Sequence, residues 1–412
     1  MSVATLQLDP VSLFLRLHNE RHICFLTGRA RQRWKTIIAF DPAEVLSSNA
    51  SNTEGFLDFV TRSTARGRKL IGYLAYEVGC QLHGIPLHTH DDLRLPGIFF
   101  CAYDNYISFH GDHAVLHYKD PVFPRRVADI CRRTLLKEPS HKPCCFVPEL
   151  SRRQYHAAFQ RIKKYIYEGE IYQVNFAHRL TGQSESSAQS LFTSLYKKNP
   201  VGFLAFLDGG DFQILSASPE HFVRIRGGAI STFPIKGTRP CCGHSGTAAR
   251  YRAELVRDAK EQAELNMITD LLRNDLGKVC AVGSVRLKQR RLLQQCAAVW
   301  HTYAVVSGRL AAGTQPVLAL LSMLPGGSIS GCPKRRALEI IDELEPVARG
   351  VYTGVIGTID PNQTMDFSIA IRTVIKKENR LWLSVGGGIV YDSNEEQEYQ
   401  ETFAKARSLQ GL

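Results

Sequence analysis

The stretch FPIKGTRP, residues 233–240, places a single lysine between apolar residues and a glycine, with a proline on either side. Proline fixes the backbone angle φ and glycine allows a close backbone approach, so the side chain of Lys236 can be aimed at a small target. Burial of a lysine among apolar neighbours favours its neutral, nucleophilic form. Taken alone, however, a lysine after a strand is more typical of a solvated surface charge. Other parts of the chain must decide between these two interpretations.

The composition is that of a soluble globular protein, since 44% of the 412 residues are hydrophobic and 22% are charged. No apolar run approaches the roughly 20 residues that span a bilayer, and no signal-peptide pattern opens the chain. These features predict a cytoplasmic protein with no membrane partner. The 11 cysteines include no Cys-x-x-Cys pair, which favours reduced thiols over a disulfide framework or a zinc site.

The net charge of +12 is compatible with two kinds of partner, nucleic acid and an anionic small molecule. The basic residues occur as scattered doublets, and no zinc-finger or RNA-binding signature accompanies them. Solvated surface charge is the simpler interpretation of these doublets. A nucleic-acid-binding protein therefore remains only a distant alternative, and we expect no nucleic-acid partner.

Hydrophobic periodicity divides the chain into two parts. Residues 1–140 contain alternating and apolar stretches that predict a β-rich N-terminal lobe. A stretch over residues 137–149, with three prolines, is the expected connection. Residues 150–412 follow as a second, larger domain with both helical and alternating patterns. This mixture predicts the α+β class.

Helix signals in the second domain are strong. Ser151 and Gln154 form a capping-box pattern that predicts the start of a helix. A long helical pattern covers residues 250–276, and a last helix begins at about Ser393. A meander of antiparallel strands lies between them, and the glycine triplet at 386–388 is predicted to end it.

Two of these helices each carry a pair of glutamates three residues apart, which puts each pair on one helix face. The pairs are Glu261 with Glu264, and Glu398 with Glu401; Lys405 continues the second stripe. If the pairs face each other, the four carboxylates repel one another and require a cation. Oxygen ligands favour Mg²⁺. The alternative is that both helices simply have acidic, solvated faces.

Nine segments, in order, resemble the chorismate-utilising enzymes, and they cover about residues 150 to 410. The segments are IYQVN at 171–175, SPE at 218–220, PIKGT at 234–238, DLLRND at 270–275, SGCPK at 330–334, RGVY at 349–352, IAIRT at 369–373, GGGIV at 386–390 and EYQET at 398–402. The N-terminal third matches only loosely. The resemblance implies a two-lobed antiparallel β-sandwich with flanking helices.

Two positions discriminate between reactions within that family. The water-adding members place a lysine base where this chain has Gln173, and a glutamine cannot deprotonate water. The anthranilate-forming members usually have alanine where this chain has Lys236. The resemblance therefore implies amination of chorismate at C4 to 4-amino-4-deoxychorismate, with anthranilate formation as the nearest alternative. It also implies that a separate glutamine amidotransferase subunit supplies ammonia.

The resemblance implies a role for each matching residue. Lys236 would attack ring C2 and Glu220 would protonate the departing C4 hydroxyl. Mg²⁺ would bind the ring carboxylate, Glu264 and Glu401, with Glu261 and Glu398 acting through water. The remaining implied contacts hold or line the substrate: Tyr352, Arg372, Lys405, and the backbone N–H groups of Gly386 and Gly388 for the carboxylates, and Thr238 and His301 for the pocket wall.

Overall fold

The structure is a computed structural model that describes residues 2–29, 33–135, 144–240, 245–296, 299–407 and 409. Within these ranges, residues 238–240, 245–249, 259–260, 295–296 and 299 are described by their backbone alone. The expected connection at 137–149 falls largely outside the described residues.

The strands are numbered in chain order. Their bounds are β1 Ser2–Gln7, β2 Cys24–Thr27, β3 Thr36–Ala39, β4 Glu44–Ser48, β5 Lys69–Leu74, β6 Ile98–Tyr103, β7 Tyr106–His110, β8 His113–Tyr118, β9 Val147–Pro148, β10 Gln173–Gln183, β11 Phe203–Asp208, β12 Gln213–Ser218, β13 His221–Arg226, β14 Ala229–Thr232, β15 Ile235–Pro240, β16 Arg286–Cys296, β17 Val299–Arg309, β18 Gly331–Cys332, β19 Val355–Ile359, β20 Met365–Ile369, β21 Thr373–Lys377 and β22 Arg380–Val390.

The helices are numbered in the same way, and a short 3-10 helix, Gly327–Ile329, lies between α9 and β18. Their bounds are α1 Pro10–Arg16, α2 Thr53–Ala65, α3 Tyr76–Leu82, α4 Phe123–Arg132, α5 Arg152–Tyr167, α6 Ala188–Lys198, α7 Ser245–Arg257, α8 Ala259–Gly277, α9 Pro316–Ser322, α10 Lys334–Leu344 and α11 Glu395–Arg407. In the part of the chain that the structure describes, no helix combines the length and apolar character needed to cross a membrane.

Two antiparallel sheets form the body of the protein. The first runs β1-β8-β7-β3-β2-β11-β12-β21-β22-β10-β18, with β9 added on β10. The second runs β15-β17-β14-β13-β20-β19-β5-β6-β4, with β16 added on β17. One apolar cluster, with members such as Leu26 and Phe99, fills the space between the sheets, and two others lie under the helices on the outer faces. The predicted α+β sandwich with flanking helices is confirmed.

Both parts of the chain contribute to both sheets. In the first sheet β2 pairs with β11, and in the second β5 pairs with β19, so in each sheet a block of strands from residues 1–140 adjoins a block from the second part. The division at 140–150 stays a prediction about the chain, because neither sheet is confined to one side of it.

Local capping signals explain where α5 and α8 begin, although the sequence pattern does not predict the start of α8. The capping box of Ser151 and Gln154 is present, with both reciprocal hydrogen bonds. The single helix predicted over 250–276 is wrong, because it is divided into α7 and α8 at Asp258. The side chain of Asp258 accepts a hydrogen bond from the backbone N–H of Glu261 at 3.1 Å, which starts a new helix there.

Two of the nine segments that carry the family resemblance, DLLRND and SGCPK, meet in a buried ion pair. The Lys334 ammonium donates to Asp275 Oδ2 at 2.6 Å and to the carbonyl of Pro325 at 3.0 Å. Asp275 is fully buried and also accepts from Lys278 at 3.0 Å. The pair joins α8 to α10, and so fixes the helix that carries the first glutamate pair.

Candidate active site

Lys236 lies on β15, at a bulge where the register against β17 shifts between residues 236 and 238. Gly237 makes the bulge, since its φ of +70° is accessible to glycine. A Cβ at this glycine would come within 2.7 Å of Leu255 Cδ1 and 3.1 Å of Glu261 Oε2. The hydroxyl of Thr302 donates to the Lys236 carbonyl at 2.6 Å, which holds the bulge in place.

The side chain of Lys236 turns inward. It is 17% exposed, and its Nζ lies 3.7 Å from Glu264 Oε2. The same Nζ would be 3.6 Å from a Cβ built on Gly388. Of the two interpretations of the FPIKGTRP stretch, the solvated surface lysine is therefore excluded.

The glycine triplet does not end a strand, contrary to the prediction from sequence. Residues 386–388 lie within β22, which stays paired with β10 along its whole length. At Gly386 a side chain is excluded by the backbone, because a Cβ would lie 2.7 Å from the carbonyl of Phe176. A Cβ on Gly388 would lie 2.6 Å from Gln173 Nε2, so the side chain of Gln173 would have to move. The glycines therefore allow the strand to pass close to its neighbours.

Among the described residues, no strand pairs with the glycine segment on the side away from β10. The pairing of β22 with β21 covers only Leu383 to Arg380, whereas β22 continues to Val390. Arg372, with a φ of 50°, immediately precedes β21. A gap in the sheet therefore lies beside the glycines, with Arg372 at its border.

The backbone of the glycines faces this gap. Asn175 and Ala177 of β10 stand opposite Gly388 and Gly386, but their N–H groups bond elsewhere, to the Ser330 carbonyl at 2.7 Å and to Glu345 at 2.8 Å. In an antiparallel pair such positions are the non-hydrogen-bonded ones. The N–H and C=O groups of both glycines thus point away from β10. Consistently, Lys405 Nζ donates to the carbonyl of Gly386 at 2.9 Å.

The two glutamate pairs approach the gap from opposite sides of the sheet. On α8 the buried stripe formed by Leu265, Ile268, Leu272 and Leu276 becomes acidic at its N-terminal end, where Glu261 and Glu264 lie beside β15. On α11, Glu398 Oε2 would be 3.3 Å from a Cβ on Gly387. Lys236 lies beside a Cβ built on the next residue, Gly388. Because side chains of successive strand residues point to opposite faces, Glu398 and Lys236 lie on different faces of β22.

Glu220 is the buried acid of the site. It lies between β12 and β13, with its N–H bonded to Ser218 Oγ at 3.2 Å and its carbonyl accepting from the N–H of Ile369 at 3.1 Å. Burial raises the pKa of Glu220 to about 7, while the Ser328 hydroxyl, at 2.6 Å from Oε1, and the charge of Lys236 act in the opposite direction. A carboxyl group with this pKa is available as a proton donor near neutral pH.

Comparison with known proteins assigns the family. The profile of the chorismate binding enzymes matches residues 21–411. The chain belongs to the chorismate-binding enzyme family. An aminodeoxychorismate synthase component 1 from Salmonella typhimurium is 33% identical over 406 residues, which are 97% of this chain and 87% of that protein.

Relatives with a second activity name match as well. An anthranilate synthase component 1 from Cereibacter sphaeroides is 44% identical over 255 residues, 62% of this chain and 51% of that protein, so the match spans about half of the relative's length. The crystal structure of anthranilate synthase component I from Streptococcus pneumoniae has a TM-score of 0.77 at 27% identity, and the match covers 99% of this chain and 92% of that one. The comparisons thus establish an enzyme of the chorismate-binding family and leave its reaction open.

His301 lies against the bulge in this chorismate-binding enzyme. It is paired in register with Thr238, and its Nδ1 lies 3.0 Å from the Gly237 carbonyl. Because a carbonyl can only accept, Nδ1 carries the hydrogen. Burial, and then the charge of Arg372, lower the pKa of His301 to about 4, so the ring is neutral at pH 7. The side chain of Thr238 is outside the described part of the chain.

Tyr352 is buried, and burial raises its pKa to about 12, so its hydroxyl is uncharged. Behind it, Arg349 makes a buried ion pair with Glu345 at 2.6 Å and donates to the carbonyl of Asn175, also at 2.6 Å. This network supports β10, the strand that the glycine segment pairs with.

The donor set of the gap fits a hard cation. Glu264 lies beside Lys236, Glu261 beside Gly237, and Glu398 beside Gly387, whereas Glu401 pairs with Lys405 at 2.8 Å. All of these donors are carboxylate oxygens, the ligands that Mg²⁺ prefers, and Mg²⁺ commonly keeps water and substrate oxygens as its other ligands. Among the side chains that are described, no three His, Cys, Asp or Glu residues already converge on one point. The residues therefore suit a metal shared with a substrate better than a closed protein cage.

Sequence reasoning missed one residue of the site. Ser328, in the short 3-10 helix, contacts Glu220 directly. Its only signal in the sequence is the Gly326-Gly327 pair before it, which indicates a tight turn without indicating what the turn presents.

Proposed function

We propose that this chain aminates chorismate at C4 to give 4-amino-4-deoxychorismate. The observation that carries the proposal is the position of Lys236, whose amine points toward Gly388 and the open glycine edge, not into solvent. In the family resemblance, a lysine at this position distinguishes C4 amination from anthranilate formation.

The reaction would proceed by two displacements. The Lys236 amine attacks ring C2 while the C4 hydroxyl departs with a proton from Glu220. Ammonia then attacks C4 and expels the lysine, which restores the free amine. The raised pKa of Glu220 supports its assignment as the acid, because a carboxyl with an ordinary pKa would be ionised at pH 7.

The carboxylates of the substrate would be held at the sheet gap. The N–H groups of Gly386 and Gly388 face that gap, and Arg372 and Lys405 supply positive charge at its border. Tyr352 is an uncharged donor. The family resemblance implies that Thr238 and His301 line the pocket. A dianion is suited to this combination of cations and backbone donors.

Mg²⁺ would be held by Glu264 and Glu401, with Glu261 and Glu398 acting through water, and when bound it would neutralise the ring carboxylate. The test is Mg²⁺ binding by calorimetry to the wild type and to Glu264→Gln. The proposal predicts a large loss of affinity in Glu264→Gln. Unchanged binding would remove Glu264 from the metal site.

Ammonia would come from a glutamine amidotransferase subunit. The relatives' designation as component 1 supports a separate partner. Ammonium salts should therefore replace the partner in an assay of the isolated chain, and glutamine should not. Turnover of glutamine by the chain alone would contradict this part of the proposal.

Product identification tests the function. Incubation with chorismate, Mg²⁺ and an ammonium salt, followed by chromatography and mass spectrometry, should give 4-amino-4-deoxychorismate with the enolpyruvyl group retained. The second candidate, anthranilate synthesis, is favoured by the relatives with that name. It predicts anthranilate and free pyruvate, and this outcome would overturn the proposal.

A further inference from the structure

The Ser328 hydroxyl contacts the buried acid at hydrogen-bonding distance, 2.6 Å from Glu220 Oε1. The backbone of Glu220 is fixed at both its N–H and its C=O by Ser218 and Ile369. With the backbone held in this way, the contact to Ser328 sets the orientation of the carboxyl group. Ser328 is therefore placed to determine which carboxyl oxygen faces the site.

The turn that carries Ser328 is itself held on three sides. A Cβ on Gly327 would lie 2.6 Å from Leu271 Cδ2 of α8, and one on Gly326 would lie 2.9 Å from Ile369 Cδ1 of β20. The Ser330 hydroxyl donates to the Gly326 carbonyl at 2.9 Å and closes the turn. Because α8 also carries Glu261 and Glu264, the turn positions Ser328 relative to the same helix as the first glutamate pair.

Among the described residues, Lys236 is the charged group that affects the ionisation of Glu220. From β15, the charge of Lys236 favours the ionised carboxyl, and from the 3-10 helix Ser328 does the same through its hydrogen bond. His221, the next residue in the chain, instead pairs with Asp366 at 2.8 Å and stacks on Phe233 at 4.2 Å. Among these neighbours, Ser328 is thus the neutral group that donates a hydrogen bond to the Glu220 carboxyl.

We propose that Ser328 is a positioning residue for proton donation: its hydroxyl holds Oε1 and leaves Oε2 to carry the proton to the substrate. In the step, the Lys236 amine forms a bond to ring C2 and the ring double bonds shift toward C4. The C4–O bond breaks with its electron pair on oxygen, that oxygen takes the proton from Oε2, and water departs. Glu220 becomes a carboxylate, and the Ser328 O–H stabilises the new charge on Oε1. This inference rests on the acid role given to Glu220 in the proposed function.

The experiment compares Ser328→Ala with Ser328→Thr, which keeps the hydroxyl, and with the matched control Ser218→Ala, which removes a hydroxyl that contacts the Glu220 backbone. Chorismate consumption with an ammonium salt is measured across pH, so the result does not depend on which product forms. The protonated carboxyl of Glu220 is titrated by infrared difference spectroscopy, with Glu220→Gln used to assign its band.

We expect Ser328→Ala to lower kcat about tenfold, the usual scale for a hydrogen bond to a charged group. The basic limb of the pH profile and the infrared titration should both move to higher pH, because a hydrogen bond that stabilises the carboxylate is lost. Ser328→Thr should restore both, and Ser218→Ala should leave the infrared titration where it is in the wild type. Should Ser328→Ala not fold, Ser328→Cys, a weaker donor of similar size, must shift the titration in the same direction.

An unshifted profile and infrared titration in Ser328→Ala, with a lower rate alone, would overturn the inference, since a merely structural residue gives that result. If the product assay instead shows anthranilate, the proposed function fails while the shift in the Glu220 titration still tests Ser328.

Discussion

Two lysine–carboxylate pairs in this protein show the difference between a pair that supports the scaffold and a pair available for chemistry. Lys334 and Asp275 lie 2.6 Å apart, are almost fully buried, and have further partners in Pro325 and Lys278. Lys236 and Glu264 lie 3.7 Å apart and are 17% and 19% exposed. Both lysines belong to segments that resemble one family, but the structure places them in different surroundings.

The two pairs differ in how completely the protein encloses them. The Lys334 pair is enclosed by α8 and α10, and its hydrogen bonds are satisfied within the protein. The Lys236 pair lies beside Gly388, at the part of β22 that β21 does not cover. A loose, partly exposed pair keeps its amine accessible, whereas a closed pair contributes rigidity. Substitution of each lysine should therefore affect different properties.

The largest effect is expected for Lys236→Met. Removal of the proposed nucleophile should lower kcat by at least the roughly 10²–10⁴-fold associated with a lost catalytic group, because the proposed first displacement would have no amine. The melting temperature should change little, since the pair is long and partly solvated. Steady-state assays with calorimetry check both; wild-type turnover in Lys236→Met would refute the nucleophile.

The next largest effect is expected for Lys334→Met. Removal of this lysine leaves the Asp275 carboxylate buried without its main partner, which typically costs about 3–5 kcal/mol of the free energy of unfolding. Denaturant titration measures it. The matched control is Lys278→Met, because Lys278 contacts the same carboxylate at 3.0 Å but is 47% exposed, and such pairs contribute about 0–1 kcal/mol. Equal losses in the two variants would contradict the comparison.

A smaller effect concerns the pH dependence of Glu220. Its pKa of about 7 lies above the ordinary value of 4.5. The protonated acid is present below that pKa, so kcat should fall as the pH rises through about 7. The contribution of this group to stability has the same sign: it is complete below the unfolded pKa and is lost as the pH rises through the folded one.

Glu220→Gln tests both statements. The pH profile of the variant's residual activity should lack the basic limb. Between pH 4.5 and pH 7, its unfolding free energy should fall less than that of the wild type. A basic limb that persists unchanged in Glu220→Gln would assign it to another group.

Much of the architecture could be predicted from the sequence, because capping and periodicity are local signals. The capping box at Ser151 is an example. The break at Asp258 was missed because helical composition continues on both sides of it. The glycine triplet predicts a strand end because glycine disfavours strands, yet at Gly386 the close approach of the Phe176 carbonyl requires glycine within a continuous strand.

The site could be predicted only as far as its segments resemble a family. Which edge of β22 is open depends on where β21 stops, and no local pattern contains that information. Ser328 was missed for the same reason, since its contact with Glu220 joins residues 108 positions apart. Such contacts depend on the tertiary arrangement of both sheets.

Covalent catalysis by Lys236 can be detected by mass spectrometry of the enzyme incubated with chorismate and Mg²⁺, in the absence of any ammonia source. We expect a covalent substrate adduct of chorismate minus water on Lys236, which disappears when an ammonium salt is added. An enzyme that turns over with ammonium but never carries the adduct, at Lys236 or elsewhere, would contradict covalent catalysis by this residue.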